Sequence, residues 1–127
     1  MKKLKGIIGV GDERTLKNYL GYLEDAGLIK MLMKSAKGLG SIEKPEKIYL
    51  DNPNLIFASQ ADIGTARETF FMNQISKDHD IFAPKSGDFL ADGKFVFEAG
   101  GKNKSFKQIK MLENSFIASD EIERVWE

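Results

Sequence analysis

Gly87-Asp88-Phe89-Leu90-Ala91-Asp92-Gly93-Lys94-Phe95-Val96-Phe97-Glu98-Ala99-Gly100-Gly101-Lys102-Asn103-Lys104 is the stretch whose reading decides the fold of this chain. Asp92-Gly93 between two apolar runs signals a two-residue type I′ turn, in which both central residues take positive φ. The runs on either side then pair as neighbouring strands, 88–91 and 94–99. Along the second strand Phe95, Phe97 and Ala99 face one way, and Val96 and Glu98 the other. Asp88 and Glu98 converge at one place in such a sheet, with lysines beyond a glycine pair. Two carboxylates and a lysine at one spot are what a Mg²⁺-dependent phosphodiester-cleaving site needs: Asp88 and Glu98 to hold the metal, and a cation to meet the charge that develops on phosphorus. The plainer alternative is that both are ordinary solvated strand carboxylates.

On the C-terminal side, Gly100-Gly101-Lys102-Asn103-Lys104-Ser105 suits anion binding by loop amides. It is not a P-loop, because Val96 stands where the first glycine belongs and Asn103 where Ser or Thr belongs. Ser105 with Gln108 predicts a capping box opening a helix to about residue 113, and 115–118 reads as a last strand. On the N-terminal side, 81–83 reads as a short strand and 62–76 as a helix, with Ile63, Ala66, Phe70 and Ile75 apolar and Glu68 near the apolar side. His79 lies in the polar run Lys77-Asp78-His79-Asp80 and has no assigned role. Residues 55–58 are a short helix or strand, and Asn52-Pro53-Asn54 is a turn and domain boundary. The expected domains are therefore 1–51 and 52–127.

In the first of these, Asp12 or Gly11 caps a helix to about residue 26, whose apolar positions Leu16, Tyr19, Leu20 and Leu23 follow the i, i+3, i+4, i+7 spacing. Gly27 stops it. Residues 28–33 and 47–50 read as two strands joined by a polar loop bearing Gly38 and Gly40. Residues 2–8 supply one further short helix.

With 42% apolar and 30% charged residues the chain has the composition of a soluble globular protein. It has no cysteine, so disulfides and thiolate metal sites are excluded and a reducing cytoplasm fits. The N-terminal apolar stretch is too short and glycine-broken for a signal peptide, and no run approaches the roughly 20 apolar residues of a membrane span. The net charge of zero divides into +4 over residues 1–50 (10 Lys/Arg, 6 Asp/Glu) and −4 over the rest (9 and 13). A basic front is compatible with nucleic acid.

Helix, strand, basic loop, strand is the back end of a winged helix-turn-helix, and Arg14-Thr15-Leu16-Lys17-Asn18-Tyr19-Leu20 followed by Leu23-Glu24-Asp25-Ala26-Gly27-Leu28-Ile29 resembles that family's recognition-helix signature. The resemblance implies that Arg14, Lys17 and Asn18 face a groove of double-stranded DNA and that Lys34 and Lys37 in the wing touch phosphates. A winged helix that serves only to pack against protein is the alternative. The order helix, three strands, helix, strand over 62–118 resembles the restriction-endonuclease-like core, of the PD-(D/E)xK type. Glu68, Asp88 and Glu98 match its carboxylates by position. The lysine of Glu-x-Lys is replaced by Gly100, leaving Lys102 or Lys104 to reach back; Lys102 is taken as the catalytic cation. The fold class expected is thus α+β, a truncated winged helix-turn-helix followed by a small αβββαβ core.

The two modules in succession resemble the C-terminal region of prokaryotic AAA-type ATPases, on the phrases 14–29, 44–51, 67–71 and 87–104. The resemblance implies a C-terminal piece of an ATP-binding protein whose P-loop domain, and with it the ATP, lies outside this chain. A binding or regulatory module with DNA contact is expected, its nuclease-like core degenerate; the alternative is an active Mg²⁺-dependent DNA nuclease. The missing ATPase domain is an implied partner. A winged helix lacking a front helix exposes apolar surface around Leu4, Ile7 and Ile8, which predicts a homo-oligomer.

Overall fold

The computed structural model describes residues 4, 6, 7, 9, 11–34, 44–105, 107, 109 and 111–120. Lys37, Ile8 and Gln108, singled out above, lie outside the described residues. The architecture is α+β. Helix α1 (Glu13–Asp25) is followed by a two-stranded antiparallel sheet, β1 (Ile29–Leu32) with β2 (Lys47–Leu50). After a short helix α2 (Leu55–Ser59) and a longer one, α3 (Ile63–Ile75), comes a four-stranded sheet in the order β3 (Ile81–Phe82), β4 (Phe89–Ala91), β5 (Phe95–Gly100), β6 (Ser115–Ser119). The first three strands run antiparallel, and β6 runs parallel to β5. Residues 55–58, open between helix and strand on sequence grounds, are helical. Among the described residues no helix is long and apolar enough to cross a membrane.

Local chemistry explains the boundaries. Asp12 caps α1 by accepting from the Arg14 amide at 3.2 Å. Its far end closes as a Schellman motif: the Gly27 amide donates to Glu24 and the Leu28 amide to Leu23, both at 3.0 Å, with Gly27 at φ +75°. That turn aims the chain directly into β1, and Glu24 Oε2 then accepts the Met31 amide at 2.7 Å. Of the expected stripe on α1, Leu16 and Leu20 are buried, whereas Tyr19 and Leu23 stay exposed; among the described residues α1 packs against β1. Asp62 caps α3 through the Thr65 amide at 2.7 Å. Asp92 and Gly93 take φ values of +53° and +66°, as a type I′ turn requires.

Leu32, Tyr49, Met72 and Phe89 form one buried cluster, with Phe71, Ile81, Ala83, Phe97 and Ala99 packed against it. Its members come from β1, β2, α3 and β4, so the small hairpin and the larger sheet share a core across residue 51. The Ala83 amide also donates to the Met33 carbonyl at 2.7 Å, tying the end of β3 to the end of β1. Burying each of these large side chains contributes roughly 1.5–3 kcal/mol.

The helix expected over 105–113 is not found among the described residues, where Lys107, Ile109 and Met111 lie in turns. Two local interactions compete with helical bonding there. The Leu112 amide takes the Ile109 carbonyl in an i→i+3 turn at 3.0 Å. Ser115 Oγ lies within donor range of the carbonyls of Ile109 (3.2 Å) and Leu112 (2.8 Å). Ile109 is nevertheless fully buried, close to Gly87 and on the side of Val96. Gly87 makes this possible: at φ +97°, an added Cβ would lie 2.7 Å from Val96 Cγ1 and 3.1 Å from Ile109 Cγ2.

Candidate functional site

Three carboxylates were expected to meet, and the fold gives each a different setting. Asp88 sits just before β4, where its amide donates to the Phe97 carbonyl at 2.9 Å and its Oδ2 accepts the Ala99 amide at 2.9 Å. The side chain thereby extends the β4–β5 ladder by one rung. Glu98 lies one residue along β5, with 1% of its surface exposed. Neither carboxylate oxygen of Glu98 has a hydrogen-bond partner. Burial raises its pKa above the ordinary carboxylate range; the cation of Lys104 pulls it back in part, and the charge of Asp88 raises it further. Glu68, on α3, faces β2. Its Oε2 accepts from Tyr49 Oη at 2.7 Å and from Lys47 Nζ at 3.1 Å. Burial, then the bond to Glu68, then the charges of Glu68 and Asp88 hold the Tyr49 phenol protonated far beyond its ordinary range. Asp88 is therefore close enough to act electrostatically on both Tyr49 and Glu98.

The cation at Glu98 is Lys104, with Nζ 3.9 Å from Oε2. A Cβ built on Gly100 would meet Lys104 Cβ and Cγ at 2.6 Å and Cδ at 2.7 Å. The side chain of Lys104 therefore fills the space into which a side chain at position 100 would project. Lys102, the residue favoured on sequence grounds, is exposed in the turn just before it.

Among the described residues no group of three or more His, Cys, Asp or Glu side chains could hold a metal ion. Glu68 is bound by Lys47 and Tyr49, Asp88 by the Ala99 amide, and Glu98 is closed over.

Of the groove-facing residues expected on α1, Arg14 and Asn18 are exposed and Lys17 is half-buried. Their i, i+3, i+4 spacing puts them on one side of the helix. Lys34 is exposed and paired with Glu46 at 3.0 Å, and Lys44 pairs with Glu13 at 3.8 Å. Ile7 is 74% exposed at the N-terminal end. His79 Nδ1 lies 2.6 Å from Asp92 Oδ2, a contact across the hairpin that sequence spacing did not indicate. The same holds for Tyr49 and Arg67. Tyr49 reads as one more apolar position in a strand, and Arg67, whose Nε lies 2.7 Å from Asp120 Oδ2, as a solvated helix residue. A concavity of about 970 Å³ lies along α3 between Pro53, Phe70 and Ala118, and none of the three carboxylates lines it.

No protein-family model matches the chain, and no curated protein or solved structure was found to match it.

Proposed function

We propose that this chain is a nucleic-acid-directed binding module: a winged-helix unit over 1–51 joined to a restriction-endonuclease-like core over 52–127 that binds without cleaving. It would serve as the C-terminal region of an AAA-type ATPase of the kind it resembles. The order β3-β4-β5-β6, with three antiparallel strands and a last parallel one, agrees with the core named. Arg14, Lys17 and Asn18 on one side of α1 agree with the winged helix.

The observation that carries the absence of cleavage is the separate engagement of the three carboxylates. Glu68 is neutralised by Lys47 and hydrogen-bonded by Tyr49. Glu98 is buried beneath Lys104, so that a metal would have to displace both arrangements before any water could be activated. An active Mg²⁺-dependent nuclease is the alternative, favoured by the two unpartnered oxygens of Glu98 and by Lys104 filling the space over Gly100.

Fluorescence anisotropy with a labelled duplex, together with nicking of supercoiled plasmid in Mg²⁺ and Mn²⁺, separates the two. The expected result is duplex binding that weakens steeply with salt and falls in Arg14→Ala, with no nicking in either metal. Metal-dependent nicking abolished by Asp88→Asn and Glu98→Gln would establish the nuclease instead. No binding at low salt would overturn both.

A further inference from the structure

Gly100 and Gly101 seat two cations that arrive from different parts of the fold. Lys104 lies over Gly100, as described. A Cβ on Gly101 would fall 2.8 Å from Arg67 Nη2 and 3.1 Å from Cζ, so the guanidinium of α3 lies flat against the second glycine. A cleft of about 360 Å³ opens at this point, lined by Gly64, Arg67, Gly100, Gly101, Lys102 and Lys104. Three cations therefore border one small concavity. Asp120 Oδ2 holds Arg67 Nε at 2.7 Å and Glu98 lies 3.9 Å from Lys104 Nζ, while among the described residues Lys102 has no acidic partner. A multiply charged anion in the cleft would meet the charge of Lys102 together with the nearby Lys104 ammonium and Arg67 guanidinium. The Asp120 bond holds the guanidinium in place against Gly101.

We infer that the Arg67–Lys102–Lys104 cleft over Gly100 and Gly101 is a phosphate-binding site. The glycine pair is required there because any side chain at position 101 displaces the guanidinium. A nucleic-acid backbone and a small phosphorylated ligand both carry such a phosphate, and the chemistry of capture is the same. The inference does not depend on the carboxylates or on the winged helix.

Titration calorimetry of the full chain with inorganic phosphate and with pyrophosphate tests it, with Lys77→Ala as a control for loss of a surface charge elsewhere. Wild type and Lys77→Ala should bind pyrophosphate with a Kd of about 1 mM or tighter. Lys102→Ala, at an exposed position, and Arg67→Gln should each weaken binding by about tenfold or more, the equivalent of one charge-assisted hydrogen bond. Gly101→Ala should do the same with an unchanged circular dichroism spectrum. Absence of binding in wild type, or equal affinity in Lys77→Ala and Lys102→Ala, would overturn the inference. A duplex displaced by phosphate from wild type but not from Lys102→Ala identifies a phosphodiester as the occupant; phosphate binding with duplex affinity indifferent to both identifies a small phosphorylated ligand. Phosphate capture by a chain that binds no duplex would leave this site standing while the proposed function fell.

Discussion

The two faces of β5 are both covered, but by different means. Towards α3, Phe95, Phe97 and Ala99 are half-buried in a run of rings: Phe71 lies 4.9 Å from Phe89 and 5.1 Å from Phe97, and Phe97 lies 5.5 Å from Phe116. On the other side, Val96, Glu98 and Gly100 are more completely buried, and the set includes a carboxylate and a glycine under a lysine stem. The face that excludes water best is the one with a charge to hide. The aromatic face supplies stability, and the opposite face spends it on an arrangement that burial alone would not select. Such local conflicts mark sites of function more often than sites of packing.

The contrast can be broken from either side. Phe89→Ala should give the largest effect, a loss of about 3–5 kcal/mol in urea unfolding, because the ring is fully buried at the centre of the aromatic face. Glu98→Leu should act in the opposite sense and stabilise the chain by about 1–4 kcal/mol at neutral pH, since it removes a buried carboxylate without opening a void. The sign of its pH dependence follows from the raised pKa of Glu98. Its contribution to stability is fully present below the unfolded carboxylate value and is lost as pH rises through the folded one, so wild type should lose ground to Glu98→Leu on going from acid to neutral. Lys104→Met should cost about 1–3 kcal/mol at neutral pH and almost nothing in the Glu98→Leu background, a double-mutant cycle that isolates the pair. Tyr49→Phe should cost about 1 kcal/mol, read from the same urea curves, through the lost bond to Glu68.

The smallest effect concerns the exposed hairpin clasp. The hydrogen bond from His79, then the Asp80 amide, lowers the Asp92 pKa. The clasp therefore contributes above the unfolded carboxylate pKa and is lost as pH falls through the folded value. Asp92→Asn should flatten the acid end of a plot of Tm against pH, leaving the neutral Tm little changed.

Much of the fold was legible because short-range signals declare it. Asp92-Gly93 specifies its turn, Asp12 and Asp62 their helix starts, Gly27 its helix end, and the alternation in 95–99 its two faces. The helix expected over 105–113 misled because a capping box states how a helix would begin, and says nothing of the Ser115 hydroxyl returning to the carbonyls of Ile109 and Leu112. The site was legible in its residue types and not in its partners. Asp88 and Glu98 are close because they flank a tight turn. Glu68 meets Lys47 and Tyr49 through contacts between α3 and β2, which no local pattern encodes. Lys102 was preferred to Lys104 on sequence grounds, whereas Lys104 is the lysine that lies over the bare Cα of Gly100 and beside Glu98.

The cluster of Leu32, Tyr49, Met72 and Phe89 has a consequence for the order of events in folding. The hairpin can form early, being local, but Leu32 and Tyr49 stay wet until α3 and β4 arrive from far along the chain. The entropy of closing that long loop has to be met before either half is repaid by burial. Neither half is a finished object to which the other is added, and severing the chain near Asn52 would leave two pieces each with an open side where its neighbour belongs.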